Sequence, residues 1–126
     1  MISVNSIADQ AANEPQALVY LKPGESSERY FGDLKVTYKI DANGKLVTCT
    51  LYLATQLVGV HTLVKDDTVY NFDVQLANTN AKGKLTLNLA VYPEVSTLSG
   101  NFHYSVSANN ESFTFIGDLV GWYVSP

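Results

Sequence analysis

The chain has 126 residues, 46% of them hydrophobic and 16% charged, and its formal net charge is −4. This length predicts one domain with a single core. Because its eight Lys and Arg residues are scattered singly, no basic stripe is present to neutralise phosphates. The composition therefore argues against nucleic acid and anionic membranes as partners.

The N-terminal sequence MISVNSIADQ lacks the basic and apolar regions of a signal peptide. No run of about 18 apolar residues, the minimum for a membrane-spanning helix, is present. The single cysteine, Cys49, cannot form an internal disulfide, as is common in reducing compartments. We therefore expect a cytoplasmic protein, although a mature secreted form with an added Met would look the same.

Residues 1–14 are predicted to form an N-terminal arm or a short helix, because Ser6 and Asp9 have the spacing of a helix cap and Pro15 follows. A single antiparallel β-barrel domain is then predicted over residues 15–126. Its first strand, within 16–22, is expected to end at Pro23 and Gly24.

Alternating apolar and polar residues predict the other strands. The expected segments are 30–40, 46–54, 57–64, 70–76, 85–91, 98–106 and 112–124. Segment 57–64 is apolar on both faces, which predicts a central or covered strand. Short polar loops join the segments, and no helical pattern follows residue 14. About eight strands at this spacing are typical of an antiparallel barrel, with a two-sheet sandwich as the alternative.

A short internal sequence repeat, which we call the echo, favours the barrel. Tyr30-Phe31-Gly32-Asp33-Leu34 matches Phe115-Ile116-Gly117-Asp118-Leu119, and each copy has a Tyr four residues further on, at Tyr38 and Tyr123. At the strand period of two, the aromatic, Gly, Leu and Tyr of each copy share one face. The echo predicts that the first long strand and the last strand pair and close the barrel.

Most aromatic residues fall on the expected inner face. A barrel lined in this way can enclose an apolar or ring-bearing ligand, although a filled core is the alternative. The predicted ligand-binding residues are Tyr38, Tyr70, Phe72, Tyr104 and Tyr123.

The second face of the last strand is also apolar, where a one-sided sheet should be polar. Its residues are Ile116, Val120, Trp122 and Val124. The N-terminal arm, a second subunit or a ligand is expected to cover them, and Trp122 is a natural anchor for an interface.

Asp33 and Asp118 are the weak catalytic candidates, since in-register echo strands would bring their carboxylates together. His61 and His103 lack the spacing of metal ligands. No catalytic motif is present, so no cofactor or metal is predicted and a non-catalytic protein is favoured.

The sequence predicts a non-catalytic module that binds a small apolar or ring-bearing molecule or a protein partner. One alternative is a homo-oligomeric assembly subunit that docks through its C-terminal strand. The other is a small barrel enzyme that uses the two aspartates.

Overall fold

Antiparallel strands dominate the part of the chain that the computed structural model describes, which is residues 19–76, 81–106 and 111–124. No helix occurs within these residues, and the prediction for residues 1–14 lies outside them. The strands are β1 (Tyr20–Leu21), β2 (Ser26–Phe31), β3 (Leu34–Ile40), β4 (Leu46–Leu53), β5 (Gln56–Val64), β6 (Val69–Leu76), β7 (Ala81–Val91), β8 (Val95–Val106) and β9 (Glu111–Tyr123).

The strands form two sheets. One has four strands in the order β2-β3-β4-β5, and the other has five in the order β1-β9-β8-β7-β6. All neighbours pair antiparallel except β1, which lies parallel to β9. The prediction of an all-β, antiparallel fold is therefore confirmed. The sheets are not closed into a barrel, and the two-sheet alternative fits the arrangement as well.

Strand β5 departs from its expected place. It forms the edge of the four-stranded sheet, where Leu57 and Val60 are 55% and 54% exposed. Its apolar residues therefore mark a partly exposed edge instead of a covered centre.

The core lies between the sheets and is built from alternate residues of both. Leu34 and Leu119 belong to the same buried cluster, as expected for a shared interior. Cys49 is fully buried there, and burial raises the pKa of its thiol to about 12. A thiol that stays protonated in this way is a poor nucleophile.

A β-bulge in β9 explains the apolar second face. Leu98 pairs with Val120 while Ser99 pairs with Asp118, so Leu119 is the extra residue of the bulge. One extra residue reverses which side chains point inward. Consequently Val120 and Trp122 are fully buried, whereas Ile116 is 71% exposed.

The echo segments occupy different structures. Gly32 and Asp33 form a two-residue hairpin turn between Phe31 and Leu34, with Gly32 at φ 64°. Glycine at the first turn position is typical of type II′ hairpins. The expected strand 30–40 is thus two strands, and Tyr30 is exposed. The second copy lies within β9, in the other sheet, so the predicted pairing of the echo strands is wrong.

The copies nevertheless meet where an edge of one sheet faces the other. The rings of Phe31 and Phe115 lie 4.4 Å apart. Arg29 lies over both rings and donates from Nη1 to the carbonyl oxygens of Asp118 and Leu119 at 3.3 and 3.4 Å. The Arg29 side chain therefore connects β2 to β9, two strands whose backbones do not pair.

Two buried aromatic side chains of the five-stranded sheet hold turns of the other sheet. The Tyr104 hydroxyl donates to the Phe31 carbonyl at 2.6 Å and accepts from the Asp33 N–H at 3.1 Å. The Trp122 indole donates from Nε1 to the Gly44 carbonyl at 2.8 Å. These turns lie at opposite ends of β3, so both ends of that strand are fixed from across the core.

Candidate functional site

A cleft of about 510 Å³ opens at one end of the molecule, where three turns between consecutive strands meet. The turns join β3 to β4, β5 to β6 and β7 to β8. The cleft is lined by Gly44, Lys45, Lys65, Val91, Tyr92, Pro93, Ser96 and Val124. We name this feature the end cleft.

The turn between β3 and β4 is fixed by its own side chains. The Asp41 carboxylate accepts hydrogen bonds from the backbone N–H groups of Lys45 and Leu46 at 2.7 and 3.1 Å. Gly44, at φ 73°, takes the left-handed conformation that glycine adopts without strain. Together with the Trp122 hydrogen bond, these contacts form this side of the end cleft without a ligand.

The turn between β5 and β6 is also fixed by hydrogen bonds. Val64 and Asp67 exchange two backbone hydrogen bonds at 3.0 and 2.9 Å. The Asp67 carboxylate also lies 3.0 Å from His61 Nε2, and the His61 ring stacks on Tyr70 with centroids 3.8 Å apart. These contacts place Lys65, the first residue of the turn, at the rim of the end cleft.

The walls of the end cleft are largely apolar. They include Val91, Pro93, Val124 and the ring of Tyr92, which is 58% exposed. Mostly apolar walls with a few polar groups are typical of small-molecule sites.

Ser96 is the buried polar residue of the site, with only 2% of its surface exposed. None of the hydrogen bonds among the described residues involves its hydroxyl. Buried polar side chains nearly always have a hydrogen-bond partner. The Ser96 hydroxyl is therefore a group that a bound molecule can satisfy.

A second depression, of about 670 Å³, lies across the outer face of the four-stranded sheet. It is lined by Ser26, Ser27, Glu28, Thr37, Tyr38, Lys39, Thr48 and Thr50. The threonine hydroxyls are partly used internally, since Thr48 Oγ1 and Thr62 Oγ1 lie 3.0 Å apart. This depression is more polar and more open than the end cleft, so it fits a small apolar ligand less well.

The predicted ligand-binding residues do not converge on one site. Tyr38, Phe72 and Tyr104 are buried in the core, and burial raises the pKa of Tyr104 to about 12. Tyr70 is half-buried against His61, and Tyr123 is exposed and stacks on Tyr20.

The predicted interface residues are also dispersed. Val120 and Trp122 are covered by the chain's own core, Ile116 is exposed and Val124 lines the end cleft. Val120 and Trp122 belong to the buried cluster between the two sheets, while the predicted arm lies outside the described residues. Assembly into oligomers stays a prediction.

The two aspartates lie in different sheets. Asp33 is in the turn between β2 and β3, and Asp118 faces Ser99 within β9. Both are exposed, and the in-register approach expected for their carboxylates does not occur because their strands do not pair. Within the described ranges, no group of three or more metal-binding side chains is present.

Sequence reasoning missed Lys45, Lys65, Tyr92 and Ser96. The first three lie in segments predicted only as loops between strands, and Ser96 lies before residue 98, the predicted start of its strand. Over the residues described, none of the elements is a helix that spans a membrane.

Comparisons of the chain with known protein families, with curated proteins and with solved structures find no match. The fold of the described residues itself assigns the protein to the all-β class, with two largely antiparallel sheets.

Proposed function

We propose that this protein is a non-catalytic binding module that takes a small apolar or ring-bearing molecule into the end cleft. The observation that carries the proposal is the buried Ser96 hydroxyl, which lines a mostly apolar cleft and has no partner among the described residues. A ligand that places a hydrogen-bonding group at Ser96 and its apolar body against the walls satisfies both features.

The size and rigidity of the end cleft support this function. Its volume of about 510 Å³ falls within the range of roughly 300–1,000 Å³ found for ligand pockets. Hydrogen bonds accepted by Asp41 and donated by Trp122 hold one rim, and the His61–Asp67 pair holds another. A site formed before binding loses less conformational entropy when the ligand enters.

Trp122 provides a direct reporter because it is the only tryptophan and its indole N–H is bonded to Gly44, which lines the cleft. The probes are 1-naphthamide, which is neutral, and 1-naphthoate, which is anionic. Titration calorimetry measures their affinities, and amide NMR spectra follow the single indole N–H signal.

We expect saturable binding of at least one probe, with a shift of the Trp122 indole signal. Ser96→Ala should weaken binding about fivefold, the effect of roughly 1 kcal/mol for one hydrogen bond. The matched control is Ser105→Ala, which changes a serine of the same strand outside the cleft and should leave affinity unchanged. Absence of saturable binding for both probes, or equal losses in both variants, would contradict the proposal.

A further inference from the structure

Two of the eight basic residues of this acidic chain line the end cleft. Lys45 comes from the turn between β3 and β4, and Lys65 comes from the turn between β5 and β6. Both are exposed, and none of the described residues that line the cleft carries a carboxylate. The aliphatic stem of a lysine extends an apolar wall while its ammonium group stays in water.

The nearby carboxylates are engaged elsewhere or lie outside the cleft lining. Asp41 accepts the backbone N–H groups of its own turn, and Asp67 pairs with His61. Asp66 and Glu94 are exposed in the adjoining turns and do not line the cleft. Among the described residues, neither Lys45 nor Lys65 forms an ion pair.

We propose that the ligand of the end cleft is an anion, with a ring or alkyl body and one carboxylate or similar acidic group. The acidic group binds Lys45 and Lys65 at the rim and accepts a hydrogen bond from the Ser96 hydroxyl, and the apolar body packs against Tyr92 and Pro93. This inference rests on the proposed function, because it assigns the chemistry of the molecule that enters the same cleft. Charge-assisted hydrogen bonds from ammonium to carboxylate are stronger than those between neutral groups.

The test compares two probes of nearly equal shape, 1-naphthoate and 1-naphthamide, by titration calorimetry at low and high salt. We expect the carboxylate to bind at least about tenfold more tightly than the amide at low salt, given the strength of hydrogen bonds to charged groups. Salt should reduce this preference, since the rim is open to solvent.

Two double variants, each of which removes two positive charges, test whether Lys45 and Lys65 cause the preference for the carboxylate. Lys45→Gln/Lys65→Gln should reduce the preference for the carboxylate to less than about twofold, with little change for the amide. Lys82→Gln/Lys84→Gln, on exposed positions of β7 outside the cleft, should keep the preference. Thermal unfolding of both variants checks that they fold, since exposed substitutions usually change stability little.

The possible results distinguish failure of the anionic-ligand proposal from failure of the proposed function. Equal affinity for the two probes in the wild type overturns the anionic ligand and leaves the binding module standing. An equal loss of preference in both double variants also overturns it, because a general charge effect then explains the selectivity. Failure of both probes to bind overturns the proposed function and this inference together.

Discussion

Tyr104→Phe tests whether the hydrogen bonds across the core stabilise the fold. The substitution removes a hydroxyl that donates to the Phe31 carbonyl at 2.6 Å and accepts from the Asp33 N–H at 3.1 Å, while it keeps the ring. Loss of the donor leaves a buried carbonyl without its partner, which costs about 1–3 kcal/mol. We expect a loss of about 2 kcal/mol and a melting temperature lower by roughly 8 °C, at about 4 °C per kcal/mol.

The pH dependence offers a second readout of the same hydroxyl. Burial raises the pKa of Tyr104 from its ordinary value of 10.0 to about 12. The folded state then retains a proton that the unfolded state releases, so the contribution of Tyr104 to stability is complete below pH 10 and falls as the pH rises towards 12. The stability difference between wild type and Tyr104→Phe should therefore shrink at alkaline pH.

Urea unfolding at neutral and alkaline pH measures both effects. The matched control is Tyr30→Phe, because the Tyr30 ring is 66% exposed and its hydroxyl donates to Glu28 Oε2 at the surface. We expect that control to stay within about 0.5 kcal/mol of wild type at neutral pH. If the two variants lose equal stability, or if the loss in Tyr104→Phe grows at alkaline pH, the assigned role of the hydroxyl is wrong.

Three further predictions concern other parts of the fold. Ala54→Asn/Thr55→Gly should raise the free energy of unfolding by about 1 kcal/mol or more in urea titrations. Both wild-type residues have positive φ, at 50° and 68°, which Asn-Gly adopts readily. No gain in stability would show that the turn is unstrained. Cys49 should not react with a thiol reagent at pH 8 until the protein unfolds, since burial keeps its thiol protonated, and rapid modification of the native protein would refute this. Gly59→Ala should destabilise the protein by about 1–3 kcal/mol in thermal melts, because the new methyl group would overlap the buried Phe72 ring; an unchanged melting temperature would mean that the ring moves freely.

Alternation of apolar and polar residues was sufficient to predict the regular strands. In β3, Leu34, Val36, Tyr38 and Ile40 are all buried as expected, and β7 and β8 follow the same rule. This success has a simple physical cause, since each sheet has one face on the core and one face towards water.

The alternation of apolar and polar residues predicted the wrong buried side chains where the inward-facing positions shift by one residue. The two-residue turn at Gly32 and Asp33 and the bulge at Leu119 each exchange the inner and outer faces, yet aromatic and apolar residues on both sides concealed the shift. The turn at Ala54 and Thr55 lacks the glycine, asparagine or aspartate that normally signals a hairpin. Closure of a barrel was therefore inferred from an echo whose copies lie in different sheets.

The end cleft was beyond sequence reasoning for another reason. Lys45, Lys65 and Tyr92 are distant along the chain, and only the packing of three separate turns brings them together. Single turns carry no signal of which other turns they will meet. The sequence did predict a module for a small apolar or ring-bearing ligand, but it placed the binding residues on the inner face of the strands.

The hydrogen bonds from Tyr104 and Trp122 also bear on how the chain acquires its fold during synthesis. Each joins residues more than seventy positions apart, at separations of 73 and 78. The strands of the four-stranded sheet leave the ribosome before β6 to β9, the strands that cover them and secure their turns. Until then its apolar face stays open to water, so a nascent or C-terminally shortened chain should depend on chaperones more than the complete protein does.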